Sequence, residues 1–159
     1  MNLNIEIQNL RLESVILLKK GARLVKGGKA ANPAMWKACE GINDRFLCYY
    51  WKHGGMVRYV GCTSRDYKGR KSNLLGRMSQ YLSNHRDRAT NKNVFEAVNR
   101  TLKTTEVEFG RFTFTGSMVD NVLHDYRRCS NAGDLTLMIE HLLIGFYKSL
   151  GQSEWNRSR

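Results

Sequence analysis

The chain has 159 residues, 42% of them apolar and 25% charged, enough for one compact domain with a real core and too few for two full ones. Its 26 Lys and Arg against 14 Asp and Glu give a formal net charge of +12, an excess that selects polyanionic partners, while the apolar and aromatic content excludes a disordered basic tail. No stretch approaches the roughly 20 consecutive apolar residues of a bilayer span, and residues 1–8 carry none of the cations that open a signal peptide, so the expectation is a cytoplasmic protein without a membrane partner.

In residues 8–26, Leu10, Ile16 or Leu17, and Leu24 recur among Arg11, Lys19, Lys20, Arg23 and Lys26. That spacing predicts a basic amphipathic helix, its first residues alternatively extended. Gly27-Gly28 reads as a hinge. Asn32 then offers a capping side chain before Pro33, and Gly41 follows Trp36 and Cys39, so 33–40 reads as a short helix. Residues 1–44 are thus expected to form a basic helical extension, ahead of a domain over 45–159.

From Arg45 the pattern changes to an apolar and aromatic run over 46–51, His53-Gly54-Gly55, and a second run over 56–61. This predicts an antiparallel hairpin. Ser72 is positioned to cap a helix to about residue 84 on Leu74, Met78, Tyr81, Leu82 and His85, with Arg77 and Tyr81 on one face. Val94, Ala97, Val98 and Leu102 predict a helix over 93–102. Val107, Phe109, Phe112 and Phe114 alternate except across Gly110, as in a strand bulged there. Ser117 and Asp120 suggest a cap for a helix to Tyr126, and a last helix spans Asp134 to Gly151. The expected fold is α+β, a small three-stranded antiparallel sheet flanked by helices, with the 1–44 helical extension.

Charge is concentrated: from Arg65 to Lys92 stand eight cations (Arg65, Lys68, Arg70, Lys71, Arg77, Arg86, Arg88, Lys92) against Asp66 and Asp87, a net of +6. Polyphosphate binding accounts for such a run better than a solvated helix face. The last helix is apolar almost all round and is expected to be largely buried. Glu140 stands in its middle, and a carboxylate taken out of water needs a cation. That cation is either a buried Arg or a ligand; alternatively Glu140 shares a surface stripe with His141 and Lys148. The four cysteines, Cys39, Cys48, Cys62 and Cys129, contain no C-x-x-C pair, and the histidines make no zinc spacing, so reduced thiols are expected.

Leu47-Cys48-Tyr49, then Tyr59-Val60-Gly61 ten positions after Tyr49, then Arg77, Tyr81, Glu140 and Asn156 form an ordered set over about residues 45–156. This resembles the GIY-YIG nuclease superfamily, small phage endonucleases and type II restriction enzymes among its members. Leu-Cys-Tyr stands where that family has Gly-Ile-Tyr, and keeps only the Tyr. The stretch between Gly61 and Arg77 is longer than in the shortest members. The resemblance implies a DNA endonuclease dependent on one Mg²⁺, with Mn²⁺ as a substitute, acting on double-stranded DNA. It implies Glu140 as metal ligand, Arg77 as a clamp on a non-bridging phosphate oxygen, and one hairpin tyrosine, Tyr59 or Tyr49, as proton acceptor. Tyr49 and Tyr81 would orient water and phosphate, and Asn156 would steady the phosphate or the metal, or else fray with the residues after it. The DNA contacts would come from Arg65, Lys68, Arg70, Lys71, His85, Arg86, Arg88 and Lys92. One active centre cuts one strand, so a double-strand break requires a homodimer or higher homo-oligomer, a second visit, or a turned substrate. From a different class, a basic nucleic-acid-binding protein that does not cleave satisfies the charge but leaves Glu140 without a purpose.

Overall fold

The computed structural model describes residues 10–27, 29–42, 47–63, 73–82, 89–113 and 132–156. The fold is α+β. In chain order the described elements are β1 (Arg11–Leu18), α1 (Pro33–Glu40), β2 (Cys48–His53), β3 (Met56–Cys62), α2 (Leu74–Leu82), α3 (Ala89–Leu102), β4 (Val107–Thr113) and α4 (Ala132–Ser149). The strands form one antiparallel sheet in the order β1-β4-β2-β3. Among the described residues no helix is long and apolar enough to cross a membrane.

The sheet has four strands rather than three, because residues 11–18 are a strand and not a helix. A bulge between Ser14 and Ile16 shifts the register against β4, so that Val15 and Ile16 are both half-buried. The bulge breaks the two-residue alternation that marks a strand in sequence. It lies in β1, opposite Gly110, while β4 runs in even register along β2 from Glu108 to Arg111. The segment that follows β1 supplies Leu24, Met35 and Cys39 to the main core. Asn32 does not cap α1: its side chain holds the Val25 backbone on both sides, at 2.8 and 2.6 Å.

The β2–β3 hairpin turns on Gly54 and Gly55, both at positive φ (59° and 73°), the two-residue turn whose twist matches the strands. Its central strand packs on both faces. Tyr49, Trp51, Tyr59, Val107 and Phe109 face α1, α2 and α3, whereas Cys48, Tyr50, Val60, Cys62 and Phe112 face α4. The expectation of a largely buried last helix holds on one side: Thr136, Ile139 and Leu143 are buried, and Leu142, Ile144, Phe146 and Tyr147 are half-buried.

Residues 152–156 cover the outer edge of β3, which would otherwise present unpaired backbone groups. The Gln152 side chain accepts from Val57 N–H at 2.8 Å, and the N–H groups of Ser153 and Trp155 donate to the Val57 and Arg58 carbonyls at 2.8 and 2.9 Å. The Asn156 amide completes the cover, accepting from Val60 N–H at 2.8 Å and donating to Val60 C=O at 2.9 Å. Trp155 stacks on His53.

Candidate active site

Two neighbouring tyrosines on β2 each lie across a glycine of an adjacent strand, on opposite faces of the sheet. A Cβ at Gly61 would stand 2.4 Å from Tyr49 Cζ and 2.5 Å from its hydroxyl oxygen. A Cβ at Gly110 would likewise stand 2.3 Å from Tyr50 Cζ. Each ring is fitted to the missing side chain, which is why a tyrosine in this register needs glycine across from it. Tyr50 donates to Glu108 Oε2 at 2.7 Å and serves the sheet. Tyr49 overhangs β3 and reaches α2.

Helix α2 is capped by Asn73, whose Oδ1 accepts the Gly76 N–H at 2.8 Å; the expected cap, Ser72, lies outside the described residues. Leu74, Met78 and Leu82 are buried in the core shared with α1, α3 and the sheet, and Arg77 and Tyr81 together meet Tyr49. The two phenols hydrogen-bond at 2.7 Å, and Arg77 Nε donates to the Tyr49 hydroxyl at 3.1 Å. The guanidinium also donates to Gln80 at 2.7 Å and lies 5.8 Å from the centroid of the Tyr81 ring. The Tyr59 ring is 6.2 Å from that of Tyr49, and its hydroxyl makes no hydrogen bond to a described residue.

Burial is the chief cause that raises the ionisation of Tyr49 and Tyr81 well above the usual tyrosine range. Both remain neutral phenols, so neither is a proton acceptor at neutral pH. Arg77 is held protonated, the Tyr49 oxygen beside it being the largest cause. The cluster is therefore a fixed cation, half-exposed, braced by two buried phenols that accordingly position Arg77 rather than face solvent. Unfolded tyrosines ionise near pH 10 and these two keep their protons to higher pH when folded, so their contribution to stability is intact below pH 10 and falls as pH rises above it. The expected result is an alkaline loss of stability of up to about 1.4 kcal/mol per pH unit for each tyrosine. Urea melts between pH 9 and 12 check it, and Tyr81→Phe should reduce the slope.

Glu140 lies on the other face of the sheet. Its Oε2 accepts from the Cys62 thiol at 3.2 Å, and one turn earlier the Cys48 thiol donates to the Thr136 carbonyl at 3.7 Å. The carboxylate is half-buried, because α4 buries only one side, and no ion pair joins it to a described cation. Cys62 adjoins Gly61, so Glu140 sits beside the strand end over which Tyr49 lies, but the two groups are not in contact. Cys39, Cys48 and Cys62 are buried thiols, and burial pushes the Cys39 thiol up to about 12, the behaviour of an inert packed thiol.

Asn156 is drawn into the edge of β3 with both amide atoms engaged and Ser153 Oγ donating to its Oδ1. It is neither frayed nor directed at the Arg77 cluster. Of the expected DNA-contacting set, Arg65, Lys68, Arg70, Lys71, His85, Arg86 and Arg88 lie outside the described residues, as do the expected 117–126 helix, Phe114 and Cys129. Lys92 is exposed on α3, 3.9 Å from Glu96. Arg111 was not singled out by the sequence. It pairs with Tyr49 across β2–β4 and is held by Glu13 at 3.2 Å; its signal is the two-residue step from Phe109, which places it on the Tyr49 face.

No protein-family model, curated protein or solved structure matches this chain.

Proposed function

We propose that this chain is a metal-dependent DNA endonuclease of the GIY-YIG type, hydrolysing phosphodiester bonds of double-stranded DNA. The observation that carries the reading is the meeting of Tyr49, Gly61, Arg77 and Tyr81, drawn from two strands and a helix, in one hydrogen-bonded cluster beside Tyr59. A buried aromatic core has no need of a guanidinium braced by two phenols; a phosphate does.

Arg77 binds a non-bridging phosphate oxygen through its outer face. Tyr59, itself buried but with a hydroxyl not taken by a described residue, accepts the proton of the attacking water, whereas the Tyr49 and Tyr81 hydroxyls are engaged with each other and Tyr49 also with Arg77. Among the described residues no three His, Cys, Asp or Glu side chains gather as a metal cage. Glu140 alone fits a hard cation that keeps most of its waters, Mg²⁺ or Mn²⁺, through the carboxylate oxygen that Cys62 leaves unbonded. When bound, that ion supplies charge to polarise the phosphate and to stabilise the leaving oxygen.

The second reading, a basic nucleic-acid-binding protein without cleavage, draws on the engagement of Glu140 with Cys62 on the face opposite Tyr49. Incubation with supercoiled plasmid, with and without Mg²⁺, followed by end sequencing, separates the two. Nicking or linearisation only with the metal supports the nuclease, and binding without any cut supports the alternative. Linear product at limiting enzyme would further argue for a homodimer. Within the nuclease reading, Tyr59→Phe is expected to lower single-turnover cleavage by about 10² with melting temperature and DNA affinity near parental. Equal rates for mutant and parent would remove Tyr59 from the mechanism.

A further inference from the structure

Residues 19–29 carry Lys19, Lys20, Arg23, Lys26 and Lys29 and no acid. The described part of this strap is pinned at three places. Gly21 N–H donates to the Leu102 carbonyl at the end of α3 at 2.8 Å, and Gly27 N–H donates to the Leu82 carbonyl at the end of α2 at 2.9 Å. Between them the Asn99 side chain holds Leu24 N–H and C=O at 2.8 and 3.0 Å. Lys26 lies over the Phe95 ring and donates to the Tyr81 carbonyl at 2.7 Å. The strap therefore runs from the end of α3 to the end of the helix that carries Arg77, and its backbone is fixed while its other cations point outward.

Between the strap and α3 lies an open groove of about 430 Å³ lined by Arg23, Phe95, Glu96, Asn99, Arg100 and Lys103 among others. Lys19, Lys20, Arg23, Arg100 and Lys103 are exposed, and among the described residues none of them pairs with a carboxylate. Like charges gathered on a fixed backbone repel one another, and a polyanion relieves that repulsion. The groove is open and its cations lie on its lip rather than converging in an enclosed pocket, which suits a phosphate backbone passing across it better than a small anion.

We infer that the 19–27 strap and the C-terminal half of α3 with Lys103 form a contact surface for the phosphate backbone of double-stranded DNA, in addition to the cations of the 65–92 run. The choice of DNA over other polyanions rests on the nuclease reading; the cationic groove does not. The surface binds without reading sequence and extends the path of the duplex from the end of α2 to the end of α3.

The test is fluorescence anisotropy of a labelled duplex of about 20 base pairs against the full chain in EDTA, at NaCl from 50 to 300 mM. The parent is compared with the triple variant Arg23→Ala, Arg100→Ala, Lys103→Ala and with Lys148→Ala on the helix that packs the opposite face. Loss of three phosphate contacts should make the slope of log K against log salt shallower by about 2 to 3 and weaken low-salt binding by tenfold or more, while Lys148→Ala stays near the parent. Thermal melting of all three proteins establishes folding, which these exposed truncations should preserve. A triple variant with the parental slope and affinity overturns the inference, as does a parent that binds anionic vesicles but not the duplex. A parent that binds with the expected slope change yet never cuts plasmid supports this surface while removing the nuclease reading. Plasmid cleavage with an unaltered triple-variant slope does the reverse.

Discussion

Glu140→Gln is expected to abolish Mg²⁺-supported cleavage while the melting temperature stays within a few degrees of the parent. The amide keeps the shape of the carboxylate and an oxygen to accept the Cys62 thiol at 3.2 Å, so packing between α4 and the hairpin is retained. What goes is the charge that a hard divalent ion requires. No described cation pairs with Glu140, so among the described residues the substitution strands no buried charge, the event that makes loss of a salt-bridge partner severe. DNA affinity should hold or rise, because a negative charge near the phosphate has gone. Single-turnover cleavage at several Mg²⁺ and Mn²⁺ concentrations, alongside thermal melting, checks the expectation. A mutant that cuts at the parental rate removes Glu140 from the metal site. A mutant that melts many degrees lower makes its role structural.

Gly61→Ala is expected to damage stability and activity together. The added methyl would stand 2.4 Å from Tyr49 Cζ, and the ring cannot retreat without leaving its bonds to Tyr81 and Arg77. Overpacking of this kind costs about 1–3 kcal/mol, and the guanidinium loses its brace. Gly110→Ala provides the comparison: there the added methyl would meet the Tyr50 ring, on the face away from Arg77, and the Glu13 backbone carbonyl at 2.6 Å. It should lower the urea midpoint by at least as much, with a smaller effect on single-turnover cleavage once folded protein is saturated with DNA. Equal catalytic losses in the two mutants would mean that the Tyr49 cluster has no separate part in the reaction.

Short-range signals in the sequence carried most of the fold. The α1 span, the hairpin with its Gly54-Gly55 turn, and the helices on Leu74, Met78, Val94 and Val98 all follow from spacing that neighbouring residues decide. β1 departs from the helical expectation because its evidence is distant: it is a strand by virtue of pairing with residues 107–113, about a hundred positions away, and its bulge at Val15 erases the local alternation. At the candidate site, the helical spacing of Arg77 and Tyr81 announced a shared face, but nothing in a linear pattern states that Tyr49 lies over Gly61 and meets them. The linear pattern is equally silent on where Glu140 and Asn156 stand: Glu140 lies on the face of the sheet that packs α4, bonded to Cys62, and the β3 edge takes both polar atoms of Asn156.

The two rims of the sheet impose an order of events on folding. β1 meets β4 across about a hundred residues, and the seal on β3 joins positions 57 and 60 to 152 and 156. The hairpin that holds Tyr49 and Tyr59 can form early by local closure, but its outer strand stays open to other chains until residues made almost a hundred positions later arrive. Long loops closed late make for slow folding and for an interval in which an unpaired edge is available for aggregation. During synthesis the hairpin therefore depends on being shielded until residues 152–156 arrive.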